Sequence, residues 1–156
     1  MRVMRFLCLF LAIALLGCSE FDGPETGTWR YSAVTPVQND CNWNVASNPP
    51  GDFRIDNKGD TFHVTPDDGT PEFDCTLDGY EYSCPNRVAG EYSEGGSTLT
   101  WSVTAKGRFV DEKNGSGSQT GNIACAGAAC AVAAQLLNTT FPCRLDVDYV
   151  ISYRGD

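Results

Sequence analysis

The side chains best able to do chemistry here are eight cysteines, one histidine and a surplus of carboxylates. Cys8 lies inside an apolar N-terminal run and Cys18 just after it. Six cysteines remain, Cys41, Cys75, Cys84, Cys125, Cys130 and Cys143. A zinc site calls for close pairs such as Cys-x2-Cys, or cysteines with histidines nearby, and the chain has neither, so no metal site is expected. An even set suits disulfides, provided the chain is exported. Cys125 and Cys130 are separated by AGAA, short enough for a tight turn to bring their Cα atoms within about 7 Å. Cys75 and Cys84 fall on one face of an expected hairpin. Pairing across an Asp78-Gly79 turn sets Cys75 opposite Tyr82, so that bond needs a slip, a bulge or a diagonal geometry. Elimination joins Cys41 to Cys143.

Nucleophilic catalysis needs a nucleophile beside a base. His63 sits between Phe62 and Val64 in an alternating stretch and reads as a partly exposed strand residue. No G-x-S-x-G elbow is present. Asp67 and Asp68 lie in a Gly/Pro turn, where Asp is favoured for backbone reasons. Asp146 and Asp148 share the outer face of the last expected strand. DNKGD and DDGT offer oxygens but do not match a calcium loop. No Gly-rich loop leads into a helix to cradle phosphate. The expectation is a protein that is not an enzyme and carries no cofactor.

The elements that must position these residues have a period of two. Phe53 and Ile55 alternate, as do Phe62 and Val64, then Phe73, Cys75 and Leu77, then Tyr80, Tyr82 and Cys84. Leu99, Trp101, Val103 and Ala105 face one way in STLTWSVTA, and Cys143, Leu145, Val147, Tyr149, Ile151 and Tyr153 do so in the last run. DEKNGSGSQTGN is polar and Gly-rich and reads as a long hairpin tip. GAACAVAAQLLN breaks the pattern: a short helix near 127–138 is expected, stopped at Asn138, with a buried strand as the other reading. About eight to ten short strands joined by hairpin turns give an all-β antiparallel meander, closed or nearly closed into a barrel. A two-sheet sandwich is the alternative.

The N-terminus decides the compartment. MRVMR is basic and FLCLFLAIALL is an apolar run of 11 residues, too short for a spanning helix of about 20. Leu15-Leu16-Gly17-Cys18 resembles the lipobox of bacterial lipoproteins, with Leu16 where a small residue is commoner. The resemblance implies that Cys18 receives the lipid and that the leader is cut before it. Ser19, where an Asp marks inner-membrane retention in enteric bacteria, implies the outer membrane, facing the periplasm or the cell surface. Several acyl chains hold a membrane stably where one does not. The chain then divides into a leader (1–17), a lipidated tether (18–27) and a single disulfide-stabilised β-domain (28–156). Loss of Arg2 and Arg5 leaves eleven more acidic than basic side chains. Such a surface repels nucleic acid and anionic headgroups.

Gly27-Thr28-Trp29 is similar to the Gly-x-Trp opening of lipocalins, eight-stranded barrels that carry small apolar ligands. There the Trp closes one end of the barrel and an Arg near the last strand packs over it. The similarity assigns that role to Arg154; a carrier of this kind would take its ligand contacts from Trp29, Arg154 and the inward-facing Trp101. The other lipocalin motifs and the long C-terminal helix are not evident. The expected function is a structural or interaction role at the envelope, with an envelope protein or polysaccharide as partner; the alternative is a carrier of a small apolar ligand. The interior is expected to be filled by Trp101, Tyr80, Tyr82, Tyr149 and Tyr153. Any ligand would enter opposite Trp29, under a lid formed by DEKNGSGSQTGN.

Overall fold

The computed structural model describes residues 21–44 and 51–156; the leader, Cys18 and residues 45–50 lie outside the described residues. Eight strands and one helix follow in order: β1 (Gly27–Asn39), β2 (Asp52–Asn57), β3 (Thr61–Pro66), β4 (Phe73–Asp78), β5 (Glu81–Glu94), β6 (Ser97–Asp111), β7 (Asn114–Gly127), α1 (Cys130–Leu137) and β8 (Cys143–Gly155). Each strand pairs antiparallel with the next, and β8 returns to pair with β1. The sheet is a closed meander barrel, which rules out the sandwich. The cause is the alternation itself. On β8, Cys143, Leu145, Tyr149 and Ile151 are buried while Arg144, Asp148 and Val150 are exposed. Only curling the sheet on itself buries one whole face of every strand and leaves no open edge.

The wall is uneven. β2, β3 and β4 have six residues each, whereas β1 and β5 to β8 have 13 to 15. At about 3.3 Å per residue the long strands rise roughly 25 Å beyond the short ones. The closed half, with the short strands, contains the main core. Trp29, Phe53, Ile55, Phe62, Tyr82, Phe109, Tyr149 and Ile151 belong to it. Each such side chain contributes about 1.5–3 kcal/mol on burial. A smaller cluster of Cys41, Ile123, Cys143 and Leu145 sits in the wide half.

Three disulfides pair Cys41 with Cys143, Cys75 with Cys84, and Cys125 with Cys130. The second is reached by a slip of the expected pairing. Asp78 pairs with Glu81, so the turn falls on Gly79-Tyr80 and Cys75 faces Cys84 directly, with Cα atoms 4.2 Å apart. The same one-residue shift leaves Tyr80 at the tip of the turn and outside the core. Helix α1 ends where expected, with Asn138 in the left-handed region and its N–H bonded to Gln135 O.

Two expectations are corrected. DEKNGSGSQTGN is not a long tip: Asp111 ends β6, only Glu112 and Lys113 form the turn, and residues 114–122 belong to β7. Up to Asn122 its inward positions are Gly115, Gly117, Gln119 and Gly121, so the alternation is present there but carries no apolar side chain. A Cβ on Gly117 would lie 2.6 Å from the Tyr82 hydroxyl and 2.7 Å from that of Tyr149; one on Gly107 would lie 2.4 Å from Tyr82. The glycines make room for two phenols, whose oxygens are 2.8 Å apart. That turn also lies beside Trp29, where Glu25 donates its N–H to Glu112 O, so it cannot lid the opposite end. The second correction concerns residues 18–27. From Phe21 onward the chain is packed against the barrel. Phe21 stacks on Tyr80 with ring centroids 4.3 Å apart, and Pro24 is fully buried.

Candidate functional site

The expected site residues separate at once. Trp29 is fully buried in the closed end; its Nε1–H donates to Glu25 O at 2.9 Å. Its ring meets Phe109 and Tyr153 edge-on, at 5.7 and 5.9 Å. Arg154 does not cover it. The register sets Trp29 opposite Tyr153, and strand alternation then turns the exposed Arg154 outward. Trp29 and Arg154 are therefore not brought together, and the closed end is sealed by aromatic rings. The filled interior is likewise true of this half only. Below Arg87, among Phe53, Phe62, Tyr82, Phe109 and Tyr149, the residual void is about 30 Å³. Burial raises the phenol pKa of Tyr82 and Tyr149, so both stay neutral.

The wide half is different. A cavity of about 420 Å³ lies above the ends of β2 to β4 and includes Tyr31, Phe73, Arg87, Trp101 and Gln119 in its lining. A second cavity, of about 560 Å³, is lined by apolar groups such as Leu99, Ile123, Leu137 and Phe141. Trp43 and Trp101 line both cavities, their ring centroids 5.4 Å apart and tilted by 52°. Trp101 thus borders the hollow half and Trp29 does not. A third concavity, of about 580 Å³, is an open hollow beside β6 to β8 and β1, with Lys106, Arg108 and Asp148 among its residues.

The local structure explains how Trp43 reaches Trp101. After β1 the chain turns at Asn42, which is in the left-handed region. Asn39 clamps the turn, donating from Nδ2 to Trp43 O and accepting from Trp43 N at 2.8 and 2.9 Å. The Cys41–Cys143 bond fixes it to β8, and Asn42 and Thr139 tie it to the C-terminal end of α1.

Arg87 was not foreseen. The alternation of Tyr82 and Cys84 continues onto Asn86 and Val88, which would leave Arg87 outside. Register shifts occur between Cys84 and Arg87 and between Val88 and Gly90. The first, at Pro85-Asn86, reverses the parity and sets Arg87 opposite the buried Val103. Re-aiming one side chain is what a bulge does, and Pro inside a strand is its sequence signal. The guanidinium lies over the Phe73 ring, Cζ 3.4 Å from its centroid. Partial burial lowers its pKa, opposed by the nearby phenols of Tyr31 and Tyr149. Arg87 Nη1 and Trp101 Nε1 are shut off from solvent with no hydrogen-bond partner among the described residues.

His63 lies on the outer face of β3, away from these cavities. Its Nδ1 is 2.9 Å from Asp74 Oδ1 and its Nε2 is 3.2 Å from Glu72 Oε2. No group of three metal-ligating side chains occurs among the described residues. Fold and site together define an eight-stranded meander barrel, filled at one end and hollow at the other. No protein-family model, curated protein or solved structure matches the chain.

Proposed function

We propose that this chain is a lipid-anchored bacterial envelope protein that binds a small, largely apolar molecule in the wide half of its barrel. One observation carries the binding reading: the interior is packed below Arg87 but leaves about 420 and 560 Å³ on either side of the Trp43–Trp101 pair. Small-molecule sites are typically about 300–1,000 Å³, apolar, with a few fixed polar groups. The role is binding rather than catalysis, since the chain's one histidine lies outside the cavity. The anchoring reading rests on the basic, then apolar leader and on Leu15–Cys18.

Titration with ANS tests the binding. Saturable one-site binding in the micromolar range is expected, lost in Trp101→Ala with the circular dichroism unchanged. Weak, unsaturable enhancement would return the barrel to a purely structural role. Cys18→Ser tests the anchor: the variant should remain an unlipidated precursor and leave the detergent phase. The interaction role keeps one observation of its own, since α1 buries none of its residues and exposes Val132, Leu136 and Leu137. Leu136→Glu should leave ANS binding intact and matter only if a partner protein docks there.

A further inference from the structure

We infer that the occupant of the wide half is an anionic amphiphile whose carboxylate is held by Arg87 and whose apolar body lies against Trp43 and Trp101; this rests on the binding reading above. The chain carries a net charge of −9, yet the one basic side chain lining either interior cavity, among the described residues, is Arg87. Arg87 is half-buried with its guanidinium over the Phe73 ring, and a cation partly drawn out of water is normally paired with an anion. Here no ion pair or hydrogen bond satisfies Nη1 among the described residues. The acids near its cavity are engaged elsewhere or solvated. Asp52 receives Arg30 at 2.6 and 2.7 Å, and Asp68 is exposed and accepts from Thr70 N.

The two buried side-chain atoms without partners, Arg87 Nη1 and Trp101 Nε1, are both donors, and both residues line the same cavity. The bulge at Pro85-Asn86 is the second, independent observation. The strand departs from regular pairing at the point that brings a cation inside. Beyond the indole pair the lining is mostly apolar, with Leu99, Ile123, Leu137 and Phe141, which suits an apolar body; its one carboxylate, Glu91, accepts from Thr100 Oγ1 at 3.3 Å. A carboxylate also matches the planar fork of a guanidinium, which is the reason for an Arg rather than a Lys at such a position.

The test compares naphthaleneacetate with the neutral naphthaleneacetamide by calorimetry on the folded domain. The wild type should bind the acetate at least tenfold more tightly. Arg87→Gln, checked for fold by circular dichroism, should abolish that preference while leaving acetamide binding in place. Arg87→Lys should keep part of it. Equal binding of the two probes by the wild type, or an acetate preference that survives in Arg87→Gln, overturns the anion inference and leaves the binding reading standing. Binding of neither probe up to millimolar concentration overturns both. If Arg87→Gln does not fold, arginine-labelled wild-type protein decides the matter. The Arg87 Nε–H resonance should move with the acetate and not with the acetamide, and its failure to move refutes the role of Arg87.

Discussion

At the scale of single residues, the sharpest constraints are where side chains are missing. Gly117 leaves space for the hydroxyls of Tyr82 and Tyr149, and Lys106 O would lie 2.5 Å from an added Cβ. Gly117→Ala is expected to destabilise the domain by about 1–3 kcal/mol, the usual cost of overpacking, measured by urea denaturation. Arg154→Ala, on the outer face, should stay within about 0.5 kcal/mol. His63 gives a pH signature. Its pKa is raised by Asp74 and then Glu72, while that of Asp74 is lowered by His63. The histidine contribution is therefore full below its unfolded value of about 6.5 and is lost as pH rises through the higher folded value. The Asp74 contribution is present above its unfolded value of about 3.9 and is lost as pH falls through the lowered one. Thermal melts of His63→Gln should lack the wild-type loss of stability above about pH 6.5, and an unchanged profile would dismiss the cluster as electrostatically silent.

At the scale of elements, the disulfides differ in what they constrain. Cys41–Cys143 closes a separation of 102 residues, Cys75–Cys84 one of nine and Cys125–Cys130 one of five. Chain entropy alone assigns these about 4.7, 2.6 and 2 kcal/mol. Paired Cys→Ala variants compared by chemical denaturation should follow that order, with Cys75–Cys84 raised by the cavity its removal leaves in the main core. Equal losses from the first and last pairs would refute the entropic account. Strand existence was readable wherever apolar residues alternate, as in β6 and β8, and so was the stop of α1 at Asn138. Legibility ended where parity is carried by something other than an apolar side chain. β7 alternates through glycine, so it read as loop. β5 changes parity at Pro85-Asn86, so Arg87 was assigned to no face. The turn at Gly79-Tyr80 lies one residue beyond the one chosen, because Asp-Gly and Gly-Tyr both offer a glycine to the bend.

At the scale of the whole molecule, an antiparallel meander with one apolar face per strand is legible in the alternation, while the choice of a closed barrel over a sandwich rests on the pairing of β8 with β1. The inequality of the strand lengths was not put to use, although six-residue strands beside 13- to 15-residue ones decide where the barrel is hollow. The aromatic residues do not share one interior for the same reason: Trp101 borders the hollow half and Tyr82 fills the closed half.

The packing of Phe21 on Tyr80 and Phe109 at the closed end also sets a direction. If the proposed lipid sits on Cys18, only Ser19 and Glu20 separate it from Phe21 on the barrel, a span of at most about 10 Å. The domain then stands on its sealed base against the bilayer, and the mouth between Trp43 and α1 opens away from the lipid. Cargo would be exchanged with the aqueous side and not drawn from the leaflet below. In proteoliposomes with spin-labelled headgroups, a fluorophore at Glu112 should be strongly quenched and one at Leu136 should not. Reversed quenching would mean that the mouth lies against the membrane.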